Sequence, residues 1–197
     1  DNHAWVEIWC DGKWYFLGAC EPEEILNKGW FTNASSRAMV IHSRVFDAKI
    51  PEGEVIGTDG MVTMLNELKR YAVTKEITVT VKDTQGLPAE GAEVSFEVLN
   101  YSEYAPIAEK KTDSKGTARL TTGFGSLHIS ARMWSDGEWF YAETVMNTEK
   151  EDNCELCLVP QDKRNDGESE KWTAADIFAP HDAPVNTDMP TLEQKAK

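Results

Sequence analysis

Lys75-Glu76-Ile77-Thr78-Val79-Thr80-Val81-Lys82, followed after a turn by Glu93-Val94-Ser95-Phe96-Glu97-Val98, is the stretch on which the fold class rests. Ile77, Val79 and Val81, then Val94, Phe96 and Val98, alternate with polar neighbours at a period of two. That is the pattern of strands with one face buried. Further runs of the same kind cover 117–121, 127–133, 139–146 and 154–159, each bounded by Gly, Asp, Asn or Ser. The turns Asp83-Thr84-Gln85-Gly86, Asp113-Ser114-Lys115-Gly116 and Ser135-Asp136-Gly137 place glycine where a positive φ is needed. Runs at this spacing predict a seven-stranded antiparallel β-sandwich over residues 75–160.

Working outward from there, Met61, Met64, Leu65 and Leu68 fall at helical spacing with Asp59 as a cap, which predicts a short connecting helix within 61–71. The loop-like Pro51-Glu52-Gly53-Glu54 marks a boundary before it, so residues 51–74 read as a linker with that helix. After Pro160 the chain turns polar, and 161–197 reads as a linker or arm in which Trp172, Ile177 and Phe178 are candidate anchors. Residues 1–50 are aromatic and strand-like and form a segment of their own. The fold class expected is mainly β.

A net charge of −14 argues against nucleic acid as a partner, because no basic stripe exists to neutralise phosphates. No apolar run reaches the eighteen residues of a spanning helix, so membrane insertion is not expected. Four cysteines are too sparse for a disulfide-built scaffold. Cys154 and Cys157 lie at metal-like spacing on a strand, where their side chains would point to opposite faces, and no second such pair exists. His128 and His181 have no second ligand at metal spacing. No metal and no cofactor are expected.

The opening stretch carries the chemistry. His3-Ala4-Trp5-Val6-Glu7-Ile8-Trp9-Cys10 and Lys13-Trp14-Tyr15-Phe16-Leu17 flank Asp11-Gly12, a strong hairpin signal. A two-residue turn sets Cys10 opposite Lys13, Trp9 opposite Trp14, Trp5 opposite Gly18 and His3 opposite Cys20. Ala4, Val6, Ile8 and Cys10 then make an apolar face suited to core packing. His3, Trp5, Glu7 and Trp9 line the other face with Trp14 and Phe16.

His3-x-Trp5-x-Glu7, then Gly12-Lys13-Trp14, Ala19-Cys20-Glu21 and Gly29-Trp30-Phe31, resembles the histidine segment of transglutaminase-like cysteine hydrolases, including peptide N-glycanases. The resemblance implies that His3 is the general base of a Cys-His-Asp set acting on amide bonds of a protein or glycopeptide substrate. It implies Trp5 and Trp30 as walls of the substrate cleft. In that family the nucleophilic cysteine precedes the histidine, so the thiol would belong to a missing amino-terminal half of the parent chain, and residues 1–197 alone would be inactive. The chain would then be the back part of a catalytic core, ahead of its sandwich. The family's orienting Asp falls at Gly18, and Glu21 is the carboxylate that would substitute for it. Cys20 reads as a packing cysteine. The alternative is a non-catalytic binding or surface-structural protein with a decayed triad at Gly18.

The sandwich pattern Val81-Lys82-Asp83 to Gly86-Leu87-Pro88, Gly91-Ala92-Glu93-Val94 and Thr112-Asp113 to Gly116-Thr117-Ala118 resembles carboxypeptidase-regulatory-like, immunoglobulin-like modules. Such modules imply an extracytoplasmic setting, periplasmic or at the cell surface.

Overall fold

The computed structural model describes residues 5–18, 23–28, 42–46, 52–59, 61–100 and 103–161. The protein is mainly β, built from thirteen strands and a single 3-10 turn among those residues. Residues 75–160 form β6 (Lys75–Lys82), β7 (Glu93–Asn100), β8 (Glu103–Lys111), β9 (Thr117–Thr122), β10 (Ser126–Ser135), β11 (Glu138–Asn147), β12 (Asn153–Cys157) and β13 (Val159–Pro160). Two sheets form, one of five strands in the order β13-β11-β10-β7-β8 and one of three in the order β12-β6-β9.

Their inner faces share one core. Ile77, Val79 and Val81 from β6, Val94 and Phe96 from β7, Leu120 from β9, Leu127 and Ile129 from β10 and Met146 from β11 are all buried within it. The period of two is what allows this, since every second side chain leaves its sheet on the same side.

Two features differ from the expected antiparallel seven. β12 runs parallel to β6, with Cys154 beside Val79 and Leu156 beside Val81. Such a pair cannot be closed by a tight hairpin, and the chain reaches β12 by crossing from β11, in the five-stranded sheet, to the sheet of β6. The stretch also holds a strand that none of the alternating runs covers, β8, whose Pro106 obscures it in the sequence. β8 is the edge of its sheet, where a missing N–H costs no ladder bond, and its register with β7 shifts between Phe96 and Glu97. Gly86, Gly116 and Gly137 adopt φ of 79°, 70° and 86°, as the turns require.

The helix expected within 61–71 is not formed. Its residues instead make β5 (Val62–Asn66), followed by the 3-10 turn Leu68–Arg70. β5 is the centre of a third sheet, between β3 (His42–Phe46) and β4 (Glu54–Asp59), and the cross-strand ladder outweighs the helical spacing of Met64, Leu65 and Leu68. The Asn66 side chain ends the strand, accepting from the Leu68 N–H at 3.1 Å and donating to the Thr121 carbonyl at 2.7 Å. Glu54 accepts from the Thr121 N–H at 3.0 Å and from Lys110 at 3.2 Å. The third sheet is thereby fastened to the sandwich through charge-assisted hydrogen bonds. Residues 162–197, which hold most of the expected arm, lie outside the described residues.

Candidate functional site

Strands β1 (Val6–Cys10) and β2 (Lys13–Leu17) form the expected hairpin. Cys10 pairs with Lys13 and Trp9 with Trp14. Asp11 and Gly12 at the turn have φ of 50° and 77°, the left-handed pair that a two-residue hairpin needs. The turn thus fixes the register, and with it which side chains share a face.

The use of the two faces differs from expectation. Val6 and Ile8, expected to pack into a core, are 42% and 37% exposed, although Tyr15 beside Ile8 is buried. The packed aromatic cluster lies on the opposite face, which carries Trp5 and Phe16. The Tyr71 ring meets Trp5 edge-on at 5.4 Å and Phe16 at 5.0 Å. Tyr71 follows the 3-10 turn, which supplies an aromatic surface that the hairpin covers. Aromatic edges and faces meeting at these distances add to the burial itself.

Glu7 is the polar centre of this contact. One carboxylate oxygen accepts from the Tyr71 hydroxyl, and the other accepts from Arg70 at 2.7 Å. With both oxygens engaged, Glu7 works as a clamp between the hairpin and the segment after β5. Burial, reinforced by the hydrogen bond to Glu7, pushes the Tyr71 hydroxyl from 10.0 up to about 12, partly offset by the Trp5 hydrogen bond and Arg70. A raised value means that the folded state holds this proton more tightly than the unfolded one. The stabilisation is therefore complete below pH 10 and lost as pH rises towards 12. Absorbance titration at the phenolate band should show Tyr71 among the late-ionising tyrosines, together with Tyr104, which burial and the Glu97 and Glu143 carboxylates also push up, and the hairpin should loosen as Tyr71 ionises. In Tyr71→Phe the late absorbance change should shrink by one tyrosine; an unchanged amplitude would place the late step elsewhere.

Of the residues singled out in the sequence, Trp5 is described and half-buried against Tyr71. Gly18 is buried. His3, Cys20, Glu21 and Trp30 lie outside the described residues. Cys154 is half-buried against the sandwich core and Cys157 is exposed, consistent with their opposite directions on β12. Burial, with Glu151 nearby, pushes the Cys154 thiol up to about 11, so it stays protonated and unreactive at neutral pH. Among the described residues, no group of three or more His, Cys, Asp or Glu side chains is arranged to hold a metal. No helix among them is long and apolar enough to cross a membrane.

A second polar constellation had no counterpart in the sequence reading. His128, only 9% exposed, lies on the outer face of β10 with Nδ1 2.6 Å from Glu97 and Nε2 3.2 Å from Glu143. Tyr104 stacks on its ring at 4.6 Å, and Tyr141 donates to Glu143 at 2.5 Å. The row Glu97, His128, Glu143, Tyr141 thus crosses three strands. Glu97, His128 and Glu143 lie far apart in sequence, and only the registers of β10 with β7 and β11 bring them together, with Tyr141 two residues before Glu143 on the same strand. The one signal available beforehand was that each occupies an outward position of its strand.

No protein-family model matches the chain, and the search of curated proteins finds no match either. The function has to be read from the residues themselves.

Proposed function

We propose that the chain is part of a transglutaminase-like thiol hydrolase or acyltransferase that acts on amide bonds of a protein or glycopeptide, with the immunoglobulin-like sandwich as a positioning module. The observation that carries this reading is the β1–β2 hairpin, whose register at Trp9–Trp14 and Cys10–Lys13 is the one that Asp11-Gly12 leads one to expect in the segment carrying the His3-x-Trp5-x-Glu7 resemblance. Continued for three more residue pairs, the same alternation would set His3 opposite Cys20, between Ala19 and Glu21. His3 would take the thiol proton, the thiolate would attack the amide carbonyl, and Glu21 would orient the imidazole. Glu7, committed to Tyr71 and Arg70, holds the hairpin in place rather than orienting the base. The thiol itself belongs ahead of His3 in the family order, outside residues 1–197.

The test is alkylation by iodoacetamide at neutral pH of the parent protein and its His3→Ala variant. One cysteine should label fast, and its rate should fall about tenfold or more without the imidazole. Equal rates in the two proteins would overturn the assignment. Residues 1–197 alone should release no product from a glutamine-bearing or glycan-bearing peptide, and turnover by them would overturn the placement of the thiol.

One observation favours a second reading, a binding protein without turnover. Gly18, at the family's carboxylate position, is buried and has no side chain with which to orient an imidazole.

A further inference from the structure

The β1–β2 hairpin has a counterpart in the sandwich. Trp9-Cys10-Asp11-Gly12-Lys13-Trp14 and Trp134-Ser135-Asp136-Gly137-Glu138-Trp139 share the pattern Trp-x-Asp-Gly-x-Trp. In each, the tryptophans are cross-strand partners whose rings meet edge-on at 5.4 Å. Such a pair braces a tight hairpin, which is reason enough for two tryptophans beside a turn. What needs a further explanation is the material that surrounds the second pair.

Trp134 and Trp139 remain 57% and 39% exposed. Arg132 lies over the Trp139 ring at 5.4 Å and is held there by Glu93, which accepts from its Nε at 2.8 Å. The guanidinium carries its remaining N–H donors in a fixed plane beside the indole. A pocket of about 390 Å³ opens here, lined by Arg132, Trp139, Phe140, Tyr141 and Gln161. The Tyr141 hydroxyl is set by Glu143, which His128 also contacts, and His128 is held in turn by Glu97. Polar groups are thus fixed around an exposed aromatic surface before any ligand arrives, the condition under which binding loses least to ordering.

We propose that this face of the five-stranded sheet binds a neutral saccharide, with a pyranose ring stacked on Trp139 and its hydroxyls hydrogen-bonded by Arg132, Tyr141 and Gln161. A sugar ring has an apolar C–H face and a polar rim, matching an indole face flanked by planar donors and a hydroxyl. Charge narrows the choice further. Glu93 and Glu143 stand beside the site and the chain carries −14, so an acidic glycan is repelled. An extended peptide would be expected to add to an open sheet edge, at β8 or β13, whereas this surface crosses the face of β10 and β11. The site is on a different sheet from the β1–β2 hairpin, and its test does not depend on His3.

Calorimetric titration of residues 1–197 with cellohexaose, xylohexaose, mannohexaose and chitohexaose, and with an acidic oligogalacturonide and a neutral unstructured peptide, decides the matter. At least one of the four neutral sugars should bind. Trp139→Ala should weaken that binding about tenfold or more, and Arg132→Met should weaken it as well. Trp139→Phe, which keeps an aromatic partner for Trp134, covers the case in which the alanine variant does not fold and should also bind less tightly. Trp9→Ala, in the matching hairpin without the arginine or the pocket, should bind as the unaltered chain does. Failure of all four neutral sugars, preference for the acidic sugar or the peptide, or binding unchanged in both Arg132→Met and Trp139→Phe would each overturn the proposal.

Discussion

Gly116→Ala should cost about 3 to 5 kcal/mol, among the larger effects of any single substitution, while Gly86→Ala should cost about 1 to 2 kcal/mol. The two glycines end turns of one design. In each, the aspartate that opens the turn accepts from two backbone N–H groups ahead of it, Asp83 from Gln85 and Leu87, and Asp113 from Lys115 and Thr117. These bonds, with one from the Thr117 hydroxyl, hold the Asp113 carboxyl below its ordinary 3.8. Both glycines have φ near the left-handed region, 79° and 70°, so the strain on a new side chain is common to both. Space is what separates them. A Cβ at Gly86 meets nothing within 4 Å, whereas at Gly116 it would lie 2.5 Å from the Val81 carbonyl oxygen and 3.0 Å from the Ala89 nitrogen. Those atoms are backbone and cannot swing aside, and the Gly116 carbonyl also accepts from the Val81 N–H at 2.7 Å. Urea unfolding of the two variants is the measurement. Equal midpoints would mean that the β9 turn does not press against β6 in this way.

Phe96→Ala should destabilise the sandwich by about 3 to 5 kcal/mol. The ring is fully buried, pairs with Ile129 on one side and Ala108 on the other, and belongs to the core shared by both sheets. Deleting it removes apolar burial and leaves a cavity bounded by two hydrogen-bonded sheets, which cannot collapse far. Phe96→Leu, which keeps most of the volume, should cost about 1.5 kcal/mol or less. A thermal or urea midpoint checks both, and a loss below about 1 kcal/mol for the alanine variant would mean that the sheets do not enclose the ring.

The strands of the sandwich were legible because Ile77, Val79 and Val81, or Val94, Phe96 and Val98, repeat at the pleat's own period, and Asp-Gly turns mark where the chain reverses. β5 was misread as helix because Met64, Leu65 and Leu68 fit a helical stripe by chance, and nothing local shows that β3 and β4 stand ready to pair with that segment. β8 was hidden by Pro106, whose meaning depends on whether the strand is central or at an edge. In the candidate site, the register at Trp9–Trp14 and Cys10–Lys13 followed from two turn residues, but the face that packs did not. Its choice depends on Tyr71, over fifty residues away, arriving with Arg70 to cover Trp5, Glu7 and Phe16.

By itself, then, the sequence determined the mainly β class, the turns and the local hairpin register, because those are set by steric limits on φ and by alternation along a few neighbouring residues. Only the tertiary structure decided the parallel seat of β12, the clamp of Glu7 on Tyr71, and the row of Glu97, His128, Glu143 and Tyr141 beside Trp139. Those depend on which strands lie side by side, and that choice is made by burial and pairing across the whole chain.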